Sequence, residues 1–444
     1  MTSSSSSDRR DFLKTASATS LGLMAGSRLS PLLAHQSPNE KVVVAVMGVN
    51  GRGTVLGRTF AGLPNAEVAY LCDVDAVVLA RSIAEVGAGR PQPPRGIGDF
   101  RRALDDKSVD ALVIAAPDHW HAPAAILALK AGKHVYLEKP CGHNPREGEL
   151  LVLAAKKYGR LVQMGTQRRS GPRFAELIQA INEGLIGRPY FATAWYANTR
   201  GSIGRGKPAP VRAGLDYELW QGPAPRTPYR DNVIHYNWHW FRRWGTGEIS
   251  NNGTHELDVC RWVLGVDFPT KVTSVGGRYH FADDWEFPDT QEVGYEFDGG
   301  KAIAWRGLSC NGLRTANRGR GVIVQGTGGS VVLDQDGYTV YDLKNAVVKE
   351  SLASTATDSL NVSGDDALTT LHIQNFVAAV RTGTPLTQPI ASGHRTQVLC
   401  HLGNIAQFTG RTLHTDPATG RILGDEEAMR LWGREYEPGW APTV

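Results

Sequence analysis

Cysteine is scarce in this chain: five residues in 444, at Cys72, Cys141, Cys260, Cys310 and Cys400. They are odd in number, far apart and free of any CxxC pair, which excludes a disulfide framework and a thiolate zinc site. They read as buried or partly buried thiols, with one pair free to close in an oxidising compartment. Surplus charge is scarce too. Lys and Arg number 48 against 44 Asp and Glu, a net of +4, and nothing in that balance points to nucleic acid. Beyond the amino-terminal stretch no apolar run reaches the roughly 18 residues that span a bilayer. His119 and His121 lie close together, but no third ligand follows nearby, so no metal site is expected.

What is present suffices for a core: 41% hydrophobic and 21% charged residues describe a globular protein. Its length suits two or three domains. The amino terminus reads Ser7-Asp8-Arg9-Arg10-Asp11-Phe12-Leu13-Lys14, then a mild Ala- and Ser-rich stretch to Ala34. That is the form of a twin-arginine export signal. The expected address is the periplasm, with no membrane anchor.

Residues 42–46, VVVAV, have the continuous apolar character of a parallel strand buried on both faces. Gly48-Val49-Asn50-Gly51-Arg52-Gly53 follows and turns into a helix expected over 54–61. This is the place and shape of a dinucleotide loop, where glycines allow a tight turn and the helix start meets a pyrophosphate. Asn50 occupies the usual second-glycine position, and its tolerance of left-handed backbone suggests a slightly altered loop. A second strand, EVAYLCDVD over 67–75, ends at Asp73. A carboxylate there would accept hydrogen bonds from the adenosine ribose and repel a 2′-phosphate, which favours NAD over NADP.

Strands at 111–115 and 134–137 run to the same carboxyl edge, the ligand-binding edge of open α/β sheets. The first delivers Ala116-Pro117-Asp118-His119-Trp120-His121, read as extended chain before a helix over 123–131. The second delivers Glu138-Lys139-Pro140, where proline ends the strand and holds Lys139 out of helical geometry. Asn144-Pro145-Arg146-Glu147 reads as a capped helix start.

After Gly171 the rhythm changes. A loop over 198–232, rich in Gly, Pro and Arg, is long enough to be a functional arm. Tyr236, Trp238 and His239 lie in an aromatic patch that suits a sugar ring. Gly253-Thr254-His255-Glu256-Leu257-Asp258 opens a helix, with Asp258 one turn from His255 and able to orient its imidazole. Strands at about 271–281, 292–298, 301–309, 321–326, 330–334 and 338–343 alternate polar and apolar residues, as in a mostly antiparallel sheet with one wetter face. A polar loop over 351–366, helices at 366–382 and 393–408 and an irregular tail complete the chain.

The glycine loop, APDHWH, AGKHVYLEKP (131–140) and GTHELD, in this order, resemble the Gfo/Idh/MocA oxidoreductases over roughly residues 41–410. Within that family the chain looks most like the exported branch, which includes glucose-fructose oxidoreductase-like enzymes and NAD-dependent glycosidases. The resemblance implies an α/β plus α+β fold: a Rossmann dinucleotide-binding domain and a second domain with a large, mostly antiparallel open sheet that mediates homo-oligomerisation. Residues 1–35 are then the signal, 36–165 the NAD-binding domain, 166–414 the substrate domain and 415–444 a tail. It also implies His121 near the nicotinamide and His255 as acid/base. Many relatives carry aspartate where this chain has Asn251.

The expected cofactor contacts are Gly48, Asn50, Gly51, Arg52, Gly53, Asp73, Pro117, His121, Glu138 and Lys139. The expected substrate contacts are Tyr236, Trp238, His239, Asn251 and Asp258. The leading expectation is NAD-dependent oxidation of a sugar or glycoside secondary alcohol, with His255 as base and Lys139 on the reacting oxygen. Export of a folded protein suggests tightly held NAD that is regenerated within the site. This admits a redox-neutral glycoside hydrolase cycle through a 3-ketone and elimination as the alternative. A catalytically inactive carbohydrate sensor is the third reading.

Overall fold

The computed structural model describes residues 41–352 and 367–444. The export signal and nearly all of the 351–366 loop lie outside the described residues. Six strands form an all-parallel sheet: β1 (Val42–Met47), β2 (Ala66–Cys72), β3 (Arg95–Ile97), β4 (Ala111–Ile114), β5 (His134–Leu137) and β6 (Val162–Met164), in the order β3-β2-β1-β4-β5-β6. The reversal of direction at β1 and β4 opens a crevice at the carboxyl edge of the sheet. Side chains of β1 alternate between two cores, Val42, Val44 and Val46 on one face and Ala45 and Met47 on the other. That two-sided burial is why the run is uninterruptedly apolar.

The crossover helices are α1 (Arg52–Gly62), α2 (Ala76–Gly87), α3 (Asp118–Lys130) and α4 (Pro145–Tyr158). In α4, Asn144 caps the helix by accepting from the Glu147 N–H at 3.0 Å, with proline at the first helical position. The start of α3 departs from the sequence reading: the helix begins at Asp118, not at 123, so His119 and His121 sit in its first turn instead of alternating along a strand. Pro123 lies inside it. A proline has no N–H for the carbonyl four residues earlier, and here that carbonyl, of His119, accepts instead from Arg434 Nη2 at 2.7 Å.

The second sheet has nine strands. They are β7 (Pro189–Ala197), β8 (Lys271–Gly277), β9 (Thr290–Phe297), β10 (Lys301–Leu308), β11 (Arg320–Gly326), β12 (Gly329–Asp334), β13 (Gly337–Tyr341), β14 (Val347–Leu352) and β15 (Leu413–His414). The order is β14-β13-β12-β11-β7-β10-β9-β8-β15, antiparallel except where β7 meets β10. One face packs on α5 (Thr254–Leu264) and the long helix Ile390–Thr409. The latter starts after Pro389, not after Ser392 as its sequence suggested.

Two segments read as part of the second domain or as a loose tail return to the first. The helix Ala367–Thr382 lays Ile373, Phe376 and Val377 into the core around β1, with the Phe376 ring 5.7 Å from Tyr136. The carboxyl-terminal tail sets Trp440 edge-on to Trp120 at 5.2 Å. All five cysteines are buried and unpaired. Among the described residues, no helix is long and apolar enough to cross a membrane.

Candidate active site

A cavity of about 480 Å³ runs along the carboxyl edge of the parallel sheet and under the second domain. At one end the β1–α1 loop supplies Gly48, Asn50, Gly51 and Arg52 to its wall. Gly48 holds φ +79°, and a Cβ there would stand 2.5 Å from the Ala116 main chain; Gly51 holds φ +88° and faces open space. Asn50 is not among the positive-φ residues, so glycine alone takes the left-handed geometry. Asn50 instead accepts from Arg81 Nη2 at 2.8 Å. Gly53 does not face the cavity: a Cβ there would fall 1.9 Å from the Gly48 carbonyl oxygen, so it serves close packing of the turn. The amino terminus of α1 carries no acidic residue and no side-chain cap. An uncapped helix start beside glycine main chain is a fitting cradle for a pyrophosphate.

Asp73 lines the same end. Its carboxylate accepts from the Val49 N–H at 2.8 Å and the Asp75 N–H at 3.0 Å. Burial outweighs those bonds and pushes its pKa up to about 6. The 198–232 arm closes over this end. Gly214 O accepts from the Ala76 N–H at 2.8 Å, the Asp216 N–H donates to Val74 O at 2.9 Å, and Arg212 pairs with Asp75. Beyond it, Leu219, Trp220 and His235 form the opposite wall.

The other end gathers Pro117, His121, Glu138, Lys139, Tyr236, Trp238, His239, Asn251 and His255. Lys139 follows β5 and its peptide bond to Pro140 is cis. Its Nζ donates to Asn251 Oδ1 at 3.0 Å, and burial lowers its pKa. Glu138 is buried but kept ionised by Arg52, whose Nε lies 2.8 Å away. His121 has both ring nitrogens against main-chain carbonyls, Pro140 at 2.5 Å and Ala116 at 2.7 Å.

His255 stands at the head of α5, directly after the π-helical turn Ile249–Gly253. Burial, then Arg320, Lys139, Arg168 and Arg52, hold its pKa well below the usual histidine value. Those surroundings favour the neutral imidazole over the imidazolium.

The aromatic patch divides. Tyr236, Trp238 and His239 face the cavity, whereas Trp240 turns inward and stacks on Trp285 at 3.8 Å. Asp258 corrects a sequence expectation. It is absent from the cavity wall and cannot orient His255, because Arg169, Gln388 and Thr396 hold its carboxylate at 2.7 to 3.0 Å.

Two cavity residues, Arg320 and Arg168, are not marked by the sequence. Both line the cavity and share Glu256, with Arg168 Nη2 at 2.7 Å and Arg320 Nε at 2.8 Å. The one available signal was an arginine at the head of an apolar strand.

Two family models match the chain: the oxidoreductase family's NAD-binding Rossmann fold over residues 42–166 and its C-terminal alpha/beta domain over 221–414. A glycosyl hydrolase family 109 protein of Stenotrophomonas maltophilia is 34% identical over 282 residues, 60% of this chain and 57% of the relative. An inositol 2-dehydrogenase of Saccharopolyspora erythraea is 27% identical over 263 residues, 59% of this chain and 64% of the relative. The chain thus spans less than two thirds of the length of these curated relatives. A levoglucosan dehydrogenase solved with NADH and levoglucosan superposes with a TM-score of 0.65 at 18% identity, covering 84% of this chain and 99% of that one. The chain belongs to the Gfo/Idh/MocA oxidoreductase family, with an NAD-binding Rossmann fold joined to the family's C-terminal alpha/beta domain.

Proposed function

We propose that the protein is an NAD-dependent oxidoreductase acting on a secondary alcohol of a sugar or glycoside. The observation that carries this reading is the meeting of neutral His255 with Lys139 in the cavity that the glycine loop and Asp73 also line. NAD bound there supplies a hydride acceptor. His255 takes the hydroxyl proton. Lys139 hydrogen-bonds the reacting oxygen and steadies its developing negative charge. Trp238, Tyr236 and His239 present ring faces and polar tips to the sugar. Asp73 at the adenosine end favours NAD over NADP, since a 2′-phosphate would meet its carboxylate.

A second reading is a redox-neutral glycosidase, supported by the several relatives named as family 109 glycosyl hydrolases. A ketone at the sugar's third carbon acidifies the neighbouring C–H. Tyr236, whose oxygen accepts from Asn251 Nδ2 at 3.2 Å, would be the group that takes that proton and later returns it.

Residues 1–35 would export the folded enzyme by the twin-arginine route with its NAD tightly held, to work in the periplasm. The open face of the second sheet, where Val275 is 68% exposed, would join copies into a homo-oligomer.

The test is to purify the protein without added nucleotide, denature it and identify what is released. Near-stoichiometric NAD(H), followed by glycoside conversion without added cofactor, is the expected result. Correctly folded protein that arrives empty and binds NAD only reversibly would remove the tight-cofactor part. Failure to bind NAD at all would remove the whole reading.

A further inference from the structure

The side chain of Asn251 bridges two groups with opposite needs. Its Oδ1 accepts from Lys139 Nζ at 3.0 Å and its Nδ2 donates to Tyr236 Oη at 3.2 Å. The ammonium settles which way round the amide lies: it has donors only, so the amide oxygen must face it and the amide N–H must face the phenol. Arg200 sits on the other side of the same ring, its guanidinium 5.9 Å from the Tyr236 centroid and paired with Glu248 at 2.7 Å. Glu248 accepts from Arg200 and from Asn252 Nδ2 at 2.5 Å and makes no hydrogen bond to the phenol. The ring of His239 lies 4.1 Å from that of Tyr236, and its Nδ1 is turned to the Tyr236 carbonyl. The groups facing Tyr236 are therefore Arg200, Glu248, Asn251, His239 and, through the amide, Lys139. Tyr236 lines the cavity. Among the described residues the phenol oxygen is met only by donors, Asn251 and Arg200, and the cavity is open to its proton.

We propose that Asn251 is a positioning residue that reserves Tyr236 for proton transfer with the substrate, by presenting an N–H donor, and not an acceptor, to its oxygen. A carboxylate at 251 would satisfy Lys139 equally well, but it would take the phenol's proton and repel a phenolate. The amide is thus what separates the two acid–base groups, Lys139 on the alcohol and Tyr236 on the adjacent carbon. This rests on the glycosidase reading.

In that cycle the Tyr236 phenolate accepts the proton from the carbon next to the ketone. The C–H electron pair becomes the new C=C bond, and the glycosidic C–O pair leaves with the aglycone oxygen, which takes a proton from water. The hydroxide so formed adds to the double bond, and the carbon next to the ketone takes its proton back from Tyr236, which returns to phenolate. Burial works against the phenolate and raises the pKa of Tyr236, while Arg200 and Asn251 oppose that rise. Asn251 therefore contributes in the direction the step requires.

The experiment compares the wild type with Asn251→Asp, each against its own Tyr236→Phe partner. The ultraviolet difference spectrum across a pH titration isolates the ionisation of Tyr236. The expected result is that Asn251→Asp moves this ionisation upward by about one pH unit, a tenfold change in the equilibrium. No movement, or a downward one, overturns the proposal. A second readout is the ratio of deuterium exchange at the carbon beside the ketone to oxidation of the alcohol, expected to fall about tenfold in Asn251→Asp. A wild type that exchanges no such proton removes the glycosidase reading, while the titration still judges the role of Asn251.

Discussion

The two ends of the cleft bury charge by opposite means. At the dinucleotide end the acids rest largely on the main chain: Asp73 on the N–H groups of Val49 and Asp75, and Asp75 on those of Val77 and Val78, with Arg212 added from the arm. At the reacting end three buried acids are held by guanidinium: Glu138 by Arg52, Glu256 by Arg168 and Arg320, Glu248 by Arg200; the fourth, Asp118, is held by the Thr246 hydroxyl instead, and burial raises its pKa. The consequence shows in their ionisation. Burial lifts Asp73 to about 6, whereas Glu138 and Glu256, though fully enclosed, are pulled below the usual carboxylate range by their arginines. An acid held by amides remains sensitive to pH; an acid held by arginine is a fixed charge. The proposed proton-transfer groups Lys139, Tyr236 and His255 thus stand among fixed charges, with Asp118, among the described residues, as the one acid there whose pKa burial raises.

The sharpest way to break this contrast is to remove those movable groups. Lys139→Ala and His255→Ala should each lower kcat about a thousandfold while leaving bound NAD(H) at the wild-type level after gel filtration. Retention of most activity in both would overturn the assignment of the reacting end.

A smaller effect tests the other end. Protonation of Asp73 removes an acceptor for the ribose hydroxyls. With its pKa raised to about 6, NAD affinity should be full at pH 7 and weaken as pH falls through 6. Calorimetric titration of nucleotide-free protein should show Kd rising about tenfold from pH 7 to pH 5. In Asp73→Asn the profile should be flat, and an equally steep profile there would locate the sensitivity elsewhere.

The smallest effect is expected from Arg212→Ala. Arg212 is 41% exposed on its side chain, and a partly exposed pair contributes little. Exchange of bound NAD for labelled NAD should quicken only a few-fold, since the main-chain bonds of Gly214 and Asp216 remain. A change of a hundredfold would show that the ion pair, not the main chain, fastens the arm.

Much of this frame can be read from the chain alone, and the reasons are local. β1, β4 and β5 are buried on both faces, so their sequences are unbroken apolar runs, and Gly48 and Pro140 mark where they end. What could not be read depends on distant partners. Asp258 sits one turn from His255, which suggested a partnership. Only the fold shows that Arg169, Gln388 and Thr396 take its oxygens. Arg320 and Arg168 come together only through Glu256, whose role no spacing announces. β14 carries no signal of its own because its side chains are almost all exposed, so no alternation marks it. The π-helical turn that carries Asn251 likewise has no sequence pattern of its own.

Arg434 limits how far this chain can be shortened. Arg434, near the carboxyl end, supplies the hydrogen-bond donor that Pro123 denies to the His119 carbonyl, and its Nε also holds the buried Glu147 at 2.8 Å. A residue some three hundred positions further along the chain thus completes the helix that carries His121 into the cleft. Trimming the chain ahead of residue 434 would leave that carbonyl and that carboxylate without their partner, so a shortened version should be cut after it.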